Sequence, residues 1–205
     1  PGVAALAPVV RGQAALADAS APAQIELSML GAASGGLLIY GIDPKLDLNA
    51  REYKILEGEF LSPDRNAYDI LLVKNFADEK KIRLGNEVTL LSPGGSAQFD
   101  VVGLMDRDGP GLLNNGAFAA IPIETAQELF LRAGSLDQID VVALPEASAG
   151  DALEALKGTL QARLGPDYTV TYPAAQGQRV SQMLSGYQMG LNMFSAIAIF
   201  VGGFL

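Results

Sequence analysis

Hydrophobic and polar positions change period several times along the chain. Val3 to Val10 around Pro8, Gln24 to Leu30 and Leu37 to Ile42 are β-rich runs, the last ending in the turn Asp43-Pro44. They predict three strands separated by an Ala-rich stretch around Pro22. Ile55 to Leu61, interrupted by Gly58, leads to the turn Ser62-Pro63-Asp64, after which Ile70 to Val73 predicts a short apolar strand and Asn75 to Lys81 a short charged helix. Glu87 to Leu91 and Ala97 to Leu104 flank Ser92-Pro93-Gly94-Gly95, a hairpin signal with an expected loop of four or five residues. Asp106 to Gly116 reads as a flexible connection and Phe118 to Ile121 as another strand.

Ile123 to Arg132 predicts a helix, with Glu124 in its first turn, Ala126, Leu129 and Phe130 on its apolar side and Gly134 as its stop. Gln138 to Leu144 is a strand ending at Pro145. Asp151 to Leu164 is the clearest globular helix, because Leu153, Leu156, Leu160 and Leu164 share one face and Gly165-Pro166 ends it. Tyr168 to Tyr172 follows as a strand. Strand, helix and strand at this end, matched by strands at the other, indicate the α+β class, with one subdomain built from 1–63 and 122–178 and a mostly-β unit, 64–121, inserted in it.

After Arg179 the charges stop: every Asp, Glu, Lys and Arg lies at or before that residue, and Val180 to Leu205 carry none. Val180, Met183, Leu184, Tyr187, Leu191 and Phe194 recur at spacings of three and four with polar residues between them, the pattern of an amphipathic helix. From Met193 onward apolar residues occupy every side, and Ser195, Gly202 and Gly203 are small residues that helices in lipid tolerate. A buried core helix keeps a polar side and ends in a cap, and this segment does neither. Residues 179–205 are therefore expected to form a stalk and the start of a transmembrane helix. Met189 to Leu205 would span roughly 26 Å against a hydrocarbon core of roughly 30 Å, so the span is expected to continue. Pro1-Gly2-Val3 lacks a start Met and a signal-type apolar stretch, so the sequence reads as an excerpt, a loop between two spans.

The 205 residues are 49% hydrophobic and 18% charged, with 14 Lys and Arg against 23 Asp and Glu, for a net charge of −9. Cys and His are both absent. Without imidazole or thiol there is no Ser-His-Asp or Cys-His nucleophile and no His or thiolate zinc site. An acidic chain is also a poor partner for nucleic acid, which calls for clustered Lys and Arg.

Carboxylates are what remains for catalysis, and no pair of them is placed together by the sequence. Asp106-Arg107-Asp108-Gly109 resembles the start of a calcium loop, but Pro110 and Ala117 stand at the fifth and twelfth positions where ligands are needed. Pro93-Gly94-Gly95-Ser96 and Gly109-Pro110-Gly111 lack the context of a phosphate loop, and Asp78-Glu79-Lys80-Lys81 reads as a solvated face. No catalytic, cofactor-binding or metal-ligating residue is assigned. Leu112, Leu113 and Phe118 around Asn114-Asn115-Gly116 have two readings, an exposed apolar loop that grips a partner or cargo, and a loop folded back over the core, the more usual outcome.

The ordered series Pro1-Gly2-Val3 with Pro8, Gly41-Ile42-Asp43-Pro44, Glu57-Gly58, Leu84-Gly85-Asn86-Glu87-Val88, Phe99-Asp100-Val101-Val102-Gly103, Ile121-Pro122 with Thr125-Ala126-Gln127, and then the uncharged helix, resembles the periplasmic core domain of MacB/FtsX-type ABC transporter permeases. Glu59, where Arg often follows the glycine, and Asn86, where Asp is common, depart from that pattern. The resemblance implies a porter-like α+β subdomain with a smaller β-rich one and an extracytoplasmic location between the first two of four spans. It also implies an ABC ATPase subunit or domain in the cytoplasm, a second permease copy, and a mechanical role toward an adaptor or cargo protein. The competing reading is an extracytoplasmic binding or adaptor module held by a C-terminal membrane anchor, without transport activity. A carboxylate-dependent hydrolase is the third.

Overall fold

The computed structural model describes residues 2–17 and 36–172. The strand expected over Gln24 to Leu30 and the stalk and membrane helix expected over 179–205 lie outside these residues. Among the described residues no helix is long and apolar enough to cross a membrane. The chain forms two compact units, 1–144 and 145–205, and the fold is α+β, a large sheet with several helices.

In the first unit β1 (Val3–Leu16) pairs antiparallel with β2 (Leu37–Ile42) over Val9 to Ala14, with β8 (Gln138–Ala143) over Val3 to Val9, and with β5 (Glu87–Ser92) at Ala15 and Leu16. Pro8 is tolerated here for a geometric reason. The Val9 carbonyl accepts from Asp137 N on the β8 side, so the nitrogen of Pro8 faces the other edge, one residue before β2 begins to pair. From β2 the pairings continue to β7 (Phe118–Pro122), β4 (Asp69–Val73), β6 (Gly95–Met105) and β5, and return to β1, closing a ring of six strands. Neighbours are parallel at β2/β7 and β4/β6 and antiparallel elsewhere. The short β3 (Ile55–Gly58) and β8 attach outside the ring, to β6 and β1. Strands of 1–63 and of 64–121 are thus hydrogen-bonded in one sheet.

Central strands buried on both faces read as continuous apolar runs. Accordingly Ile70 to Val73 on β4 and Phe118 to Ile121 on β7 are wholly buried, together with Ile39, Phe99 and Leu104. Phe118 meets Tyr40 edge-on with ring centroids 5.2 Å apart. Burying such a ring contributes on the order of 2–3 kcal/mol.

Helix α3 (Ile123–Leu129) covers β1 and β2, and two glycines set how closely it lies. Gly12 pairs with Ile39 and Gly41 with Val10, which places both on one sheet face. A Cβ on Gly41 would sit 2.1 Å from the Ala126 methyl, and one on Gly12 would sit 2.3 Å from the Phe130 ring. The C-terminus of α3 is closed by Leu131 at φ +56°, with Arg132 N donating to Gln127 O at 2.7 Å. The β5/β6 reversal also docks there, Ser92 Oγ and Gly94 N both donating to Leu129 O. That reversal is two residues, Pro93-Gly94, rather than four or five, because Ser92 and Gly95 are themselves paired and Gly95 takes φ +113°.

Two shorter helices precede α3. Asp43-Pro44 opens α1 (Pro44–Asp47) rather than ending in a simple turn, since Asp43 Oδ1 accepts from both Lys45 N and Leu46 N. The charged helix α2 (Lys74–Glu79) forms as expected.

In the second unit α4 (Gly150–Leu164) follows one 3₁₀ turn, Pro145–Ala147. Tyr168 to Tyr172 is not a strand. Its backbone is held by a side chain, with Gln161 Nε2 donating to Tyr168 O at 2.7 Å and Val170 N to Gln161 Oε1 at 2.9 Å. Tyr172 hydroxyl donates to Glu154 and holds that carboxyl below the usual range, while Glu154 pushes the tyrosine up.

Two substitutions test this packing with opposite signs. Gly41→Ala forces α3 off the sheet and is expected to cost about 1–3 kcal/mol in urea unfolding. Leu131→Gly relieves a left-handed residue whose side chain is 74% exposed, and is expected to add about 0.5–1 kcal/mol by the same measurement.

Candidate functional site

Among the described residues of the first unit, two arginine-centred clusters and one displayed loop stand out beside smaller ion pairs such as Arg132–Asp137 and Lys74–Glu57. α1 turns the Asp47 side chain inward, fully buried, and the chain returns so that Arg51, one helical turn on, reaches it. The second nitrogen of the Arg51 guanidinium pairs with Asp140 on β8. Tyr53 hydroxyl donates to Asp47 Oδ2 at 2.6 Å, and Gln138 Nε2 to Asp140 Oδ1 at 2.8 Å, so all four carboxylate oxygens are partnered. Burial, and then the Asp47 charge, push the Tyr53 hydroxyl far above the ordinary tyrosine range and keep it a donor. Arg51 and Arg11 lie 5.7 and 5.4 Å from the centroid of the Tyr40 ring. Leu48 to Tyr53 line a shallow, open depression of about 390 Å³.

The second cluster ties the segment before β4 to the starts of α1 and α3. Arg65 Nε contacts Asp43 Oδ2 at 3.1 Å and Glu124 Oε1 at 2.9 Å, Glu124 N donates to Arg65 O, and Thr125 Oγ1 donates to Ala67 O at 2.8 Å. Glu124 Oε2 is buried without a hydrogen-bond partner among the described residues. Each of these carboxylates shares an arginine with another. Such an arrangement cross-links segments.

The third feature is the segment expected to be flexible. Gly109–Gly116 is instead an ordered 3₁₀ segment, broken by Asn114 at φ +48° and Asn115 at φ +56°. Asn114 Nδ2 donates to Gly36 O and Ala117 O at 2.8 and 2.9 Å, and Arg107 donates to Asn115. Of the three apolar residues singled out there, Phe118 is buried, Leu113 is half-buried against the core, and Leu112 is 58% exposed. The loop folds back and displays one side chain. Asp106 is held by Lys54 Nζ at 2.7 Å, which with Arg107 N keeps its carboxyl below the usual range, and Asp108 accepts from Gly109 N. Among the described residues no three metal-ligating side chains converge.

The Arg51 cluster was not legible in the sequence. The spacing of Asp47 and Arg51 is a helical one, but the third member, Asp140, is 89 residues away. Removing the cation from a buried carboxylate is costly. Arg51→Met is therefore expected to lose about 3–5 kcal/mol of stability in denaturant unfolding, and Asp47→Asn in the same chain to recover most of it.

No family model and no curated protein matches the sequence. Solved structures do match the fold. The periplasmic region of MacB from Actinobacillus actinomycetemcomitans superposes with a TM-score of 0.58 at 15% identity, covering 88% of this chain and 77% of that one. The extracellular domain of the noncanonic ABC-type transporter YknZ from Gram-positive bacteria superposes at 0.50 and 11% identity, covering 78% and 77%. The chain has the fold of these extracytoplasmic domains.

Proposed function

We propose that this chain is the extracytoplasmic domain of an ABC transporter permease, and that it relays ATP-driven motion of the membrane helices to substrate or partner proteins outside the membrane. The observation that carries the reading is the fold shared with the MacB periplasmic region over 88% of the chain. The uncharged run Val180 to Leu205 supports it from the sequence, since a helix there leaves the domain half-wet and enters the bilayer apolar on all sides. A helix closes its backbone hydrogen bonds internally and carries displacement across the interface without unfolding. The arginine cross-links suit the same role, because segments tied through Arg51 and Arg65 move together.

In this reading the chain is not itself catalytic, and ATP hydrolysis belongs to a cytoplasmic subunit or domain. The transporter contains two permease copies, and an adaptor or cargo protein meets the extracytoplasmic face. Nucleic acid is no partner of a surface with net charge −9.

The test uses the whole transporter in proteoliposomes. A Gly-Pro insertion after Gly186 is expected to leave assembly and ATP turnover in place and to abolish transport. Transport at the native ratio to ATP hydrolysed contradicts the relay. Failure of the native chain to assemble with any ATPase favours the anchored binding module instead.

A further inference from the structure

Leu144 is the last residue of the first unit and follows directly on β8. A displacement that enters along the chain from residue 145 therefore acts on this unit through β8. The strand is weakly held by ordinary means. Among the described residues it pairs with β1 alone, outside the closed ring. Its apolar face has little cover, since Ile139 and Val141 are 55% and 39% exposed and Leu6, opposite Val141, is 50% exposed.

The other face of β8 carries the hold. Asp140 sits opposite Ala7 of β1, and its carboxylate reaches Arg51, whose guanidinium lies over Tyr40 of β2 and is anchored on the fully buried Asp47. The pair thus crosses β1 and fastens β8 to the far side of it. Its position along the strand matters. Tension at residue 144 strips pairs from the C-terminal end, first Leu144 with Gly2, then Ala143 with Val3, Val142 with Ala5 and Val141 with Leu6. Asp140 comes next, and behind it lie the pairs of Ile139 and Gln138 with β1 and the bonds of Asp137 to Val9 O, Arg11 N and Arg132, all of which the pair shields from the load. Backbone pairs stripped one at a time yield one at a time, whereas a charge-assisted bond to an anchored guanidinium must break whole.

We propose that the Arg51–Asp140 pair is a mechanical clamp that stops β8 from peeling off β1, so that displacement entering at residue 144 moves the first unit as a body. The clamp rests on the relay reading for its purpose and on the geometry above for its action. Arg51 and Asp140 are positioning residues, and a general contribution to stability would show equally in every pulling direction.

The native chain has no cysteine, so handles can be placed at will on the full chain for optical trapping. With handles at Glu146→Cys and Lys80→Cys, Asp140→Ala is expected to raise the rate of β8 release at a given load by about tenfold, Asp140→Asn by less, and Asp140→Glu hardly at all. With handles at Asn66→Cys and Lys80→Cys, which load neither β8 nor the segment carrying Arg51, all three are expected to rupture as the native chain does. Unchanged release through residue 146, or equal weakening in both directions, overturns the clamp. The relay fails separately, on coupled transport by the Gly186 insertion, whatever the force measurements give.

Discussion

The structure depends on what β1 can pair with. One strand serves β2 on one edge, β8 along its first half on the other, and β5 at its end, and only because it does so is the ring of six strands closed. Closure gives each of the six ring strands a ring neighbour on either side, leaving the edges to β3 and β8, and lets β4 and β7 be buried on both faces. It also fixes where the remaining pieces go. α3 occupies the face that Gly12 and Gly41 leave open, and Arg51 crosses the opposite side to reach β8.

Local periodicity was a good guide wherever burial follows strand or helix period. Leu37 to Ile42 is a strand with the bounds its apolar run suggests, and β4, β7, α2 and α4 lie within a few residues of their patterns. The misses have a common origin in side-chain contacts that residue composition and period do not encode. Tyr168 to Tyr172 has strand composition, but the Gln161 amide takes its backbone groups. The Asp106 to Gly116 segment looks loose because Gly and Asn are usually turn formers, yet Asn114 pins it to Gly36, far back in the chain. Gly12 is unremarkable in sequence and Gly41 is one member of a motif, and the packing reason for both appears only when Phe130 and Ala126 are laid on them. The candidate site was less legible than the fold, because an ion pair between Arg51 and Asp140 leaves no spacing signal.

These features are of one kind. Arg51 and Arg65 each hold two carboxylates from different segments, and the hairpin reversal is bonded to the end of α3. Cross-links of this kind suit the relay proposed above, which calls for a domain that transmits motion instead of absorbing it. The fold of the MacB periplasmic region and the uncharged run after Arg179 supply the context in which such stiffness has a use.

The claim that most of this rests on is that the folded domain faces away from the cytoplasm. It is tested by a single cysteine at the exposed position Leu112 of the protein as encoded in its host, probed with a membrane-impermeant maleimide. Labelling in cells whose cytoplasmic membrane is intact is the result this account predicts. Labelling only after that membrane is opened contradicts it.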